Sequence, residues 1–320
     1  MSLSTLNSPP LVALSGLAAT ALPSLLQKAI LDGTISWTAL QLAQLGSYGL
    51  NYYATLQPGR LDGKYATDLQ KNNGKTDKAS AHLSTRRGQS LVSPSGWAFA
   101  IWAPIFLGEL VYSIAVTTVP ATAPLRASLQ HMAGGFISGQ VFQTLWCASF
   151  RPKYYDEQQP WKMYVSSAML AGIAYSMSVA HQGVVQANLS PLQSMVFGLP
   201  ITLHFGWTTA ATLVNWNGNL VTDLPKWASA LAGHLSVVGA TVLGVGVTWT
   251  RTAPLYGATI AWALTACATE LSARLQLPVK DPQQLGLYGA RLQRVLCGLG
   301  AVLTAGTSVW VAATNLKLTQ

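Results

Sequence analysis

WAFAIWAPIFLGELVYSIAVTT, residues 97–118, decides the fold class. As a helix this stretch is about 33 Å long at 1.5 Å per residue, enough to cross a hydrocarbon core about 30 Å thick. It holds one charged side chain, Glu109, near its middle. The rest of the chain has the same character. Of 320 residues, 50% are hydrophobic and 9% charged, against roughly 25% charged in a soluble globular protein. That composition excludes a disordered chain, a disulfide-stapled secreted domain and a heptad or collagenous fibre. It predicts an all-α, polytopic transmembrane helical bundle.

Working outward, six further stretches have the length and apolarity of a span: roughly 130–150, 162–183, 193–215, 227–249, 254–273 and 290–314. None of the seven has a lysine or arginine at its centre, and the connectors carry the turn formers Pro120, Pro124, Pro152, Pro191, Pro225, Pro278 and Pro282. Residues 280–289 are the clearest polar break. With about seven spans, sixteen of the 19 basic residues fall on one side of the membrane, and only Arg126, Arg251 and Lys317 on the other. The bias places the N-terminus on the cytoplasmic side, or the stromal or matrix side of an organelle such as the thylakoid. The net charge of +9 reflects few acids, 10, rather than a basic face, so nucleic acid is excluded as a partner.

The first 90 residues read differently. Residues 10–31 are apolar but contain Pro23 and Lys28, and 35–57 mix Gln41, Gln44 and Asn51 with leucines and tyrosines. Both are expected to lie in the interface as surface helices. The polar, Lys- and Asn-rich residues 58–92 are expected to form an extended loop.

Candidate site residues follow from what lipid penalises. An unpaired carboxylate at mid-span costs at least a few kcal/mol, so Glu109 must be protonated, hydrogen-bonded, paired or liganded. It is either a ligand contact or a protonated acid bonding a neighbouring helix. His204 near the centre of the fourth span and His234 inside the fifth can bond across helices or ligate the metal of a haem or chlorophyll ring. Trp97, Trp161, Trp216, Trp227 and Trp249 near span ends are an ordinary interfacial belt. Trp102, Trp146, Trp207, Trp262 and Trp310 lie inside spans, where indoles pack the core or line a pocket for a flat apolar ligand. Glu270 and Arg274 suit an i,i+4 ion pair, and Gly135 with Gly139 suits close helix packing. Cys147, Cys267 and Cys297 have no metal-site or redox spacing and read as small core residues. The sequence has no nucleophile elbow, phosphate loop, HExxH or paired carboxylates, which disfavours a classical enzyme.

Pro94-Ser-Gly-Trp-Ala-Phe-Ala-Ile-Trp102-Ala-Pro-Ile-Phe106 resembles the first-helix signature of the tryptophan-rich sensory protein family, TspO/MBR, the translocator-protein relatives. Gln143-Thr-Leu-Trp146-Cys-Ala-Ser-Phe150 is similar to that family's Asn-x-x-Trp-x-x-x-Phe stretch, with Gln143 for asparagine. The run from Leu199 through His204 and Trp207 to Asn215 is similar to a late helix of the longer, seven-helix members. The shorter members have five helices and one more residue between the first-helix aromatics. The resemblance covers 95–315 and divides the chain into an interfacial segment 1–57, a polar loop 58–94 and a TspO-like bundle 95–315. It implies a tryptophan-lined cavity for porphyrins or other flat hydrophobic molecules, and nominates Trp97, Phe99, Trp102, Trp146, Phe150, Trp207 and Asn215.

Two functions are expected from these readings. The first is a non-enzymatic membrane protein that binds a tetrapyrrole, carotenoid or sterol. The second is an accessory subunit of a larger membrane assembly, such as a photosystem–antenna supercomplex. Its docking arm would be residues 1–92, and Glu109, His204 or His234 would ligate a chlorophyll or other porphyrin.

Overall fold

The computed structural model describes residues 7–62, 86–277 and 289–318, with the side chains of 315–318 left aside. Most of the expected polar loop (63–85) and most of the 280–289 break therefore lie outside the described residues. Every described regular element is helical: α1 Pro9–Ala19, α2 Leu22–Leu31, α3 Trp37–Leu56, α4 Trp102–Thr118, α5 Leu125–Ser149, α6 Trp161–Gln186, α7 Leu199–Asp223, α8 Lys226–Thr250, α9 Pro254–Arg274 and α10 Ala290–Leu318.

Local chemistry sets the boundaries. Proline opens α1, α2 and α9, where its fixed φ suits the first turn and its missing N–H costs nothing. Ser36 caps α3 by accepting from the Ala39 amide at 3.2 Å. Helix α4 grows out of a 3-10 turn, Gly96–Ile101, and stops at the extended Val119 before Pro120. Ser190 and Gln193 form a capping box, and a π-helical turn, Ser194–Gly198, leads into α7.

All seven expected stretches are helical. Among the described residues, five segments are both long and apolar enough to cross a membrane: Pro9–Leu31, Gly96–Thr118, Trp161–Gln186, Lys226–Thr250 and Ala290–Thr314. Pro9–Leu31 is the one the sequence reading placed in the interface. Helices α5, α7 and α9 are as long but more polar, because Gln140, Gln143, His204, Asn215, Asn217, Asn219 and Arg274 lie on them. All seven of these side chains are buried within the protein, so they add no polar surface for lipid to cover.

The chain forms two compact units. The first comprises residues 1–57, 100–149 and 168–208. Helix α5 is its centre, with α1, α2 and α3 packed on it. Gly134 and Gly135 serve two different neighbours. A Cβ at Gly134 would lie 3.0 Å from Pro23 O of α2, and one at Gly135 would lie 2.5 Å from Ser176 O of α6 and closer still to the Ala180 amide. Gly139, one turn on, receives Met177 of α6. Helix α3 turns its polar residues inward. Gln41 donates to the carbonyls of Val116 and Val119 at 2.8 and 2.9 Å, Trp37 Nε1 also donates to Val119 O, and Asn51 donates to Gln140 at 2.5 Å. The recurrent amides that argue for a surface helix in the sequence thus cap the end of α4 and bond α5.

The second unit comprises 58–99, 150–167 and 209–320. Helices α8, α9 and α10 pack together, with Gly244, Gly257 and Gly300 at their crossings. Residues 86–99 are strapped to α9: the Ser95 amide donates to Ala266 O at 3.1 Å, and its hydroxyl donates to Glu270 Oε2 at 3.2 Å. Arg274 donates to Ser90 O at 2.7 Å and Gln89 O at 3.3 Å. The Glu270–Arg274 ion pair expected from spacing does not form among the described residues. Both side chains turn to the strap instead, whose turn carbonyls need donors.

Candidate functional site

On α4, Trp102, Phe106 and Glu109 fall at i, i+4 and i+7, one face of the helix. His204 and Trp207 lie one turn apart on α7. Close approach of the two helices brings the sets together: a Cβ on Gly108 would lie 2.9 Å from Pro200 Cβ. One step beyond that contact His204 Nδ1 and Glu109 Oε1 share a hydrogen bond of 2.5 Å, with both side chains fully buried. Sequence reasoning singled out both residues but could not pair them, since they are 95 positions apart. The imidazole gives the mid-span acid a hydrogen-bond partner within the protein.

Two atoms of the pair remain without a partner among the described residues, Glu109 Oε2 and His204 Nε2. The Ser113 hydroxyl, one turn along α4 from Glu109, is also buried and unbonded. Buried polar atoms are rarely left so, and each marks a place where a ligand group or water gains a contact.

Aromatic rings flank the pair. Trp102 lies near-perpendicular to the His204 imidazole at 5.7 Å and to Trp207 at 6.3 Å, and stacks on Phe106 at 5.4 Å. Tyr52 meets Phe106 edge-on at 6.3 Å and stacks on Tyr48 at 6.2 Å. The Tyr48 hydroxyl donates to Phe106 O at 2.9 Å, fixing α3 to α4. The result is an aromatic strip within the first unit: Tyr52 is exposed, Trp102 and Phe106 are half-buried, and Trp207 is buried. Tyr48 and Tyr52 were not singled out for this role. Their four-residue spacing on a helix with a polar inner face was the available signal. Trp146, on α5 of the same unit, is buried.

The other nominated residues belong to the second unit. Trp97 packs edge-on against Trp262 at 4.6 Å, Trp262 Nε1 donates to Ala98 O at 3.1 Å, and Trp97 and Phe99 are exposed. Asn215 accepts from the hydroxyls of Ser166 and Ser167 at 3.1 and 2.7 Å. Phe150 lies under the Arg87 guanidinium, 5.1 Å from ring centroid to Cζ. His234 Nδ1 donates to Gln293 Oε1, while Gln293 Nε2 donates to Gly233 O at 3.1 Å, a helix-to-helix staple between α8 and α10.

Residues that sequence reasoning missed complete this unit. Asn219 accepts from Arg87 and donates to Met163 O and Ser167 Oγ, each at 3.0 Å, and Asn217 donates to Ser236 at 2.8 Å. Gly218 leaves the space that Arg87 fills, since a Cβ there would lie 2.8 Å from the guanidinium. The signal was in plain view: NWNGN, residues 215–219, puts three amides in an otherwise apolar helix. Burial lowers Arg87 to about 10, so it remains a cation at neutral pH. Among the described residues no group of three His, Cys, Asp or Glu side chains could hold a metal ion.

The model of the TSPO-like protein family matches residues 64–279. No curated protein and no solved structure gives a significant match.

Proposed function

We propose, for a chain that belongs to the TSPO-like protein family and is an integral membrane protein, a non-enzymatic role in binding a flat hydrophobic molecule, a tetrapyrrole, carotenoid or sterol, on the aromatic strip of its first unit. The observation that carries this reading is the Glu109–His204 pair beneath Trp102, with one buried polar atom on each partner unsatisfied among the described residues. Half-exposed Trp102 and Phe106 and exposed Tyr52 supply π-faces for a planar ligand. The unsatisfied atoms supply the few polar contacts that orient it.

The donor chemistry also suits a metallated ring. His204 Nε2 would hold the ring metal, with Glu109 on Nδ1 orienting the imidazole and raising its basicity. The imidazole is enclosed, so a ring reaches it only after packed side chains rotate, and association is expected to be slower than for an open site. The charge bias of the connectors supports an N-terminus on the cytoplasmic, stromal or matrix side.

The test is quenching of indole fluorescence by a metal-free and a zinc porphyrin in detergent. Trp102→Leu should weaken both, and His204→Leu should weaken the zinc porphyrin alone. Equal loss for both rings in His204→Leu would remove the metal contact from the proposal. Unchanged affinity in Trp102→Leu would end the strip as a site.

A further inference from the structure

The second unit holds a feature that ligand binding on the strip does not use. A cavity of about 190 Å³ opens where residues 86–91 meet the end of α7 and the start of α8, lined by Arg86, Gln89, Ser90, Asn217, Lys226 and Ser229 among others. Its two cations are not neutralised: among the described residues neither Arg86 nor Lys226 has a carboxylate within 4.0 Å. Arg86 is held in place by donating to Thr222 O, and Lys226 begins α8. The nearby acids bond elsewhere, and of the three only Asp156 meets a cation. In an adjoining cavity that shares Arg86, Asp156 is paired with Lys162 at 2.6 Å, Asp223 accepts from Tyr164 at 2.7 Å and Thr222 at 2.8 Å, and Glu157 accepts from Tyr155 at 3.1 Å. The Lys162 contact also holds the Asp156 carboxyl below its ordinary value.

The surroundings favour an anion over a neutral guest. Helix α8 is 25 residues long and starts at Pro225 with no side chain capping its first turn, so the leading amides add to the positive potential at the cavity. Polar side chains complete the lining: Asn217 and Ser90 are buried there and Ser229 stands one turn into α8. Both cations sit on the side of the sequence that collects sixteen of the 19 basic residues, where anionic lipid headgroups are also found. A carboxylate would satisfy one cation. A phosphate, with several acceptor oxygens and up to two charges, satisfies both together with the amides.

We infer that this cavity is a phosphate site, with Arg86 and Lys226 as the charged clamp and Ser229 and the first amides of α8 as its neutral donors. The phosphate comes either from a lipid headgroup or from a soluble phosphate compound.

Two arms separate the sources. In the first, the protein is equilibrated with phosphatidylglycerol or phosphatidylcholine in detergent and bound lipid is counted by native mass spectrometry. In the second, the unfolding temperature is followed against inorganic phosphate, with sodium chloride at matched ionic strength. Retention of phosphatidylglycerol over phosphatidylcholine assigns the site to lipid. Stabilisation by phosphate without lipid preference assigns it to a soluble phosphate. In either arm Arg86→Gln/Lys226→Gln should weaken binding about 30-fold, the loss expected for two basic contacts to an anionic group. Arg126→Gln, in the first unit, should leave it unchanged. Lys226→Gln alone, where no hydrogen bond of the side chain is at stake, should weaken binding several-fold and guards against a folding defect at Arg86. Wild-type affinity in Lys226→Gln, or no phosphate or phosphatidylglycerol effect on the wild type, overturns the inference.

Discussion

Replacing Glu109 and His204 by leucine, singly and together, tests whether the pair is the energetic unit its geometry indicates. Both side chains are fully buried and 2.5 Å apart, so either single substitution strands its partner. In Glu109→Leu the imidazole loses the acceptor for Nδ1, and Nε2 has none already. In His204→Leu neither carboxyl oxygen keeps a bond. A stranded neutral polar group costs about 1–3 kcal/mol, and a stranded buried charge about 3–5. Interhelical bonds in membrane proteins measure lower, about 0.6 kcal/mol on average and up to about 1.7, because the unfolded reference state also finds partners. We therefore expect each single substitution to cost about 2 kcal/mol. The double substitution removes both polar groups and fills their space with apolar volume, so it should lie within about 1 kcal/mol of the wild type. Independent sites would instead sum to about 4 kcal/mol. The assay is reversible unfolding in mixed micelles of rising dodecyl sulfate fraction, followed by helical circular dichroism. A double substitution that costs the sum of the singles would refute the pairing.

Other substitutions test the packing. Gly135→Ala should destabilise by about 1–3 kcal/mol, because its Cβ meets helix backbone at Ser176 O and the Ala180 amide. Gly298→Ala, whose Cβ meets nothing within 4 Å, should gain up to about 1 kcal/mol of helix propensity, and equal melting temperatures for the two would contradict the close contact. Gly218→Ala should push Arg87 off Asn219 and make the 86–87 bonds more sensitive to trypsin, so an unchanged digestion rate would count against that lock. Deleting residues 1–57 should collapse the first unit, since Tyr112 loses Gln44, Gln140 loses Asn51 and the end of α4 loses Trp37 and Gln41. A truncated protein that stays monodisperse with full helicity in its remaining spans would show that the segment is a detachable arm after all.

Legibility differed sharply between helices. Helix α4 was plain because lipid-facing helices need nearly uninterrupted apolar residues, and residues 97–118 supply them. Helix α3 was not, because its meaning depends on what faces Gln41, Gln44 and Asn51. A glutamine that bonds water and one that bonds Val116 O look the same in the sequence. The candidate site divides in the same way. Glu109 and His204 stood out separately because an ionisable group at mid-span is costly. The nominated aromatics and Asn215 fall into two groups. Trp102, Trp146 and Trp207 share the first unit with the pair, whereas Trp97, Phe99, Phe150 and Asn215 belong to the second.

The sequence alone determined that this is an all-helical membrane protein of the TSPO-like family, because bilayer thickness and the cost of charge in hydrocarbon act on each segment by itself. Those constraints are local and can be read one helix at a time. Only the tertiary structure decided that Glu109 meets His204, that Arg274 serves the 86–99 strap instead of Glu270, and that Asn215 and Asn219 both bond Ser167 while Asn217 reaches Ser236. Pairings of this kind depend on which helices approach closely, as at Gly108, where a Cβ would meet the Pro200 ring, and at Gly134 and Gly135, where it would meet the backbone of the neighbouring helix.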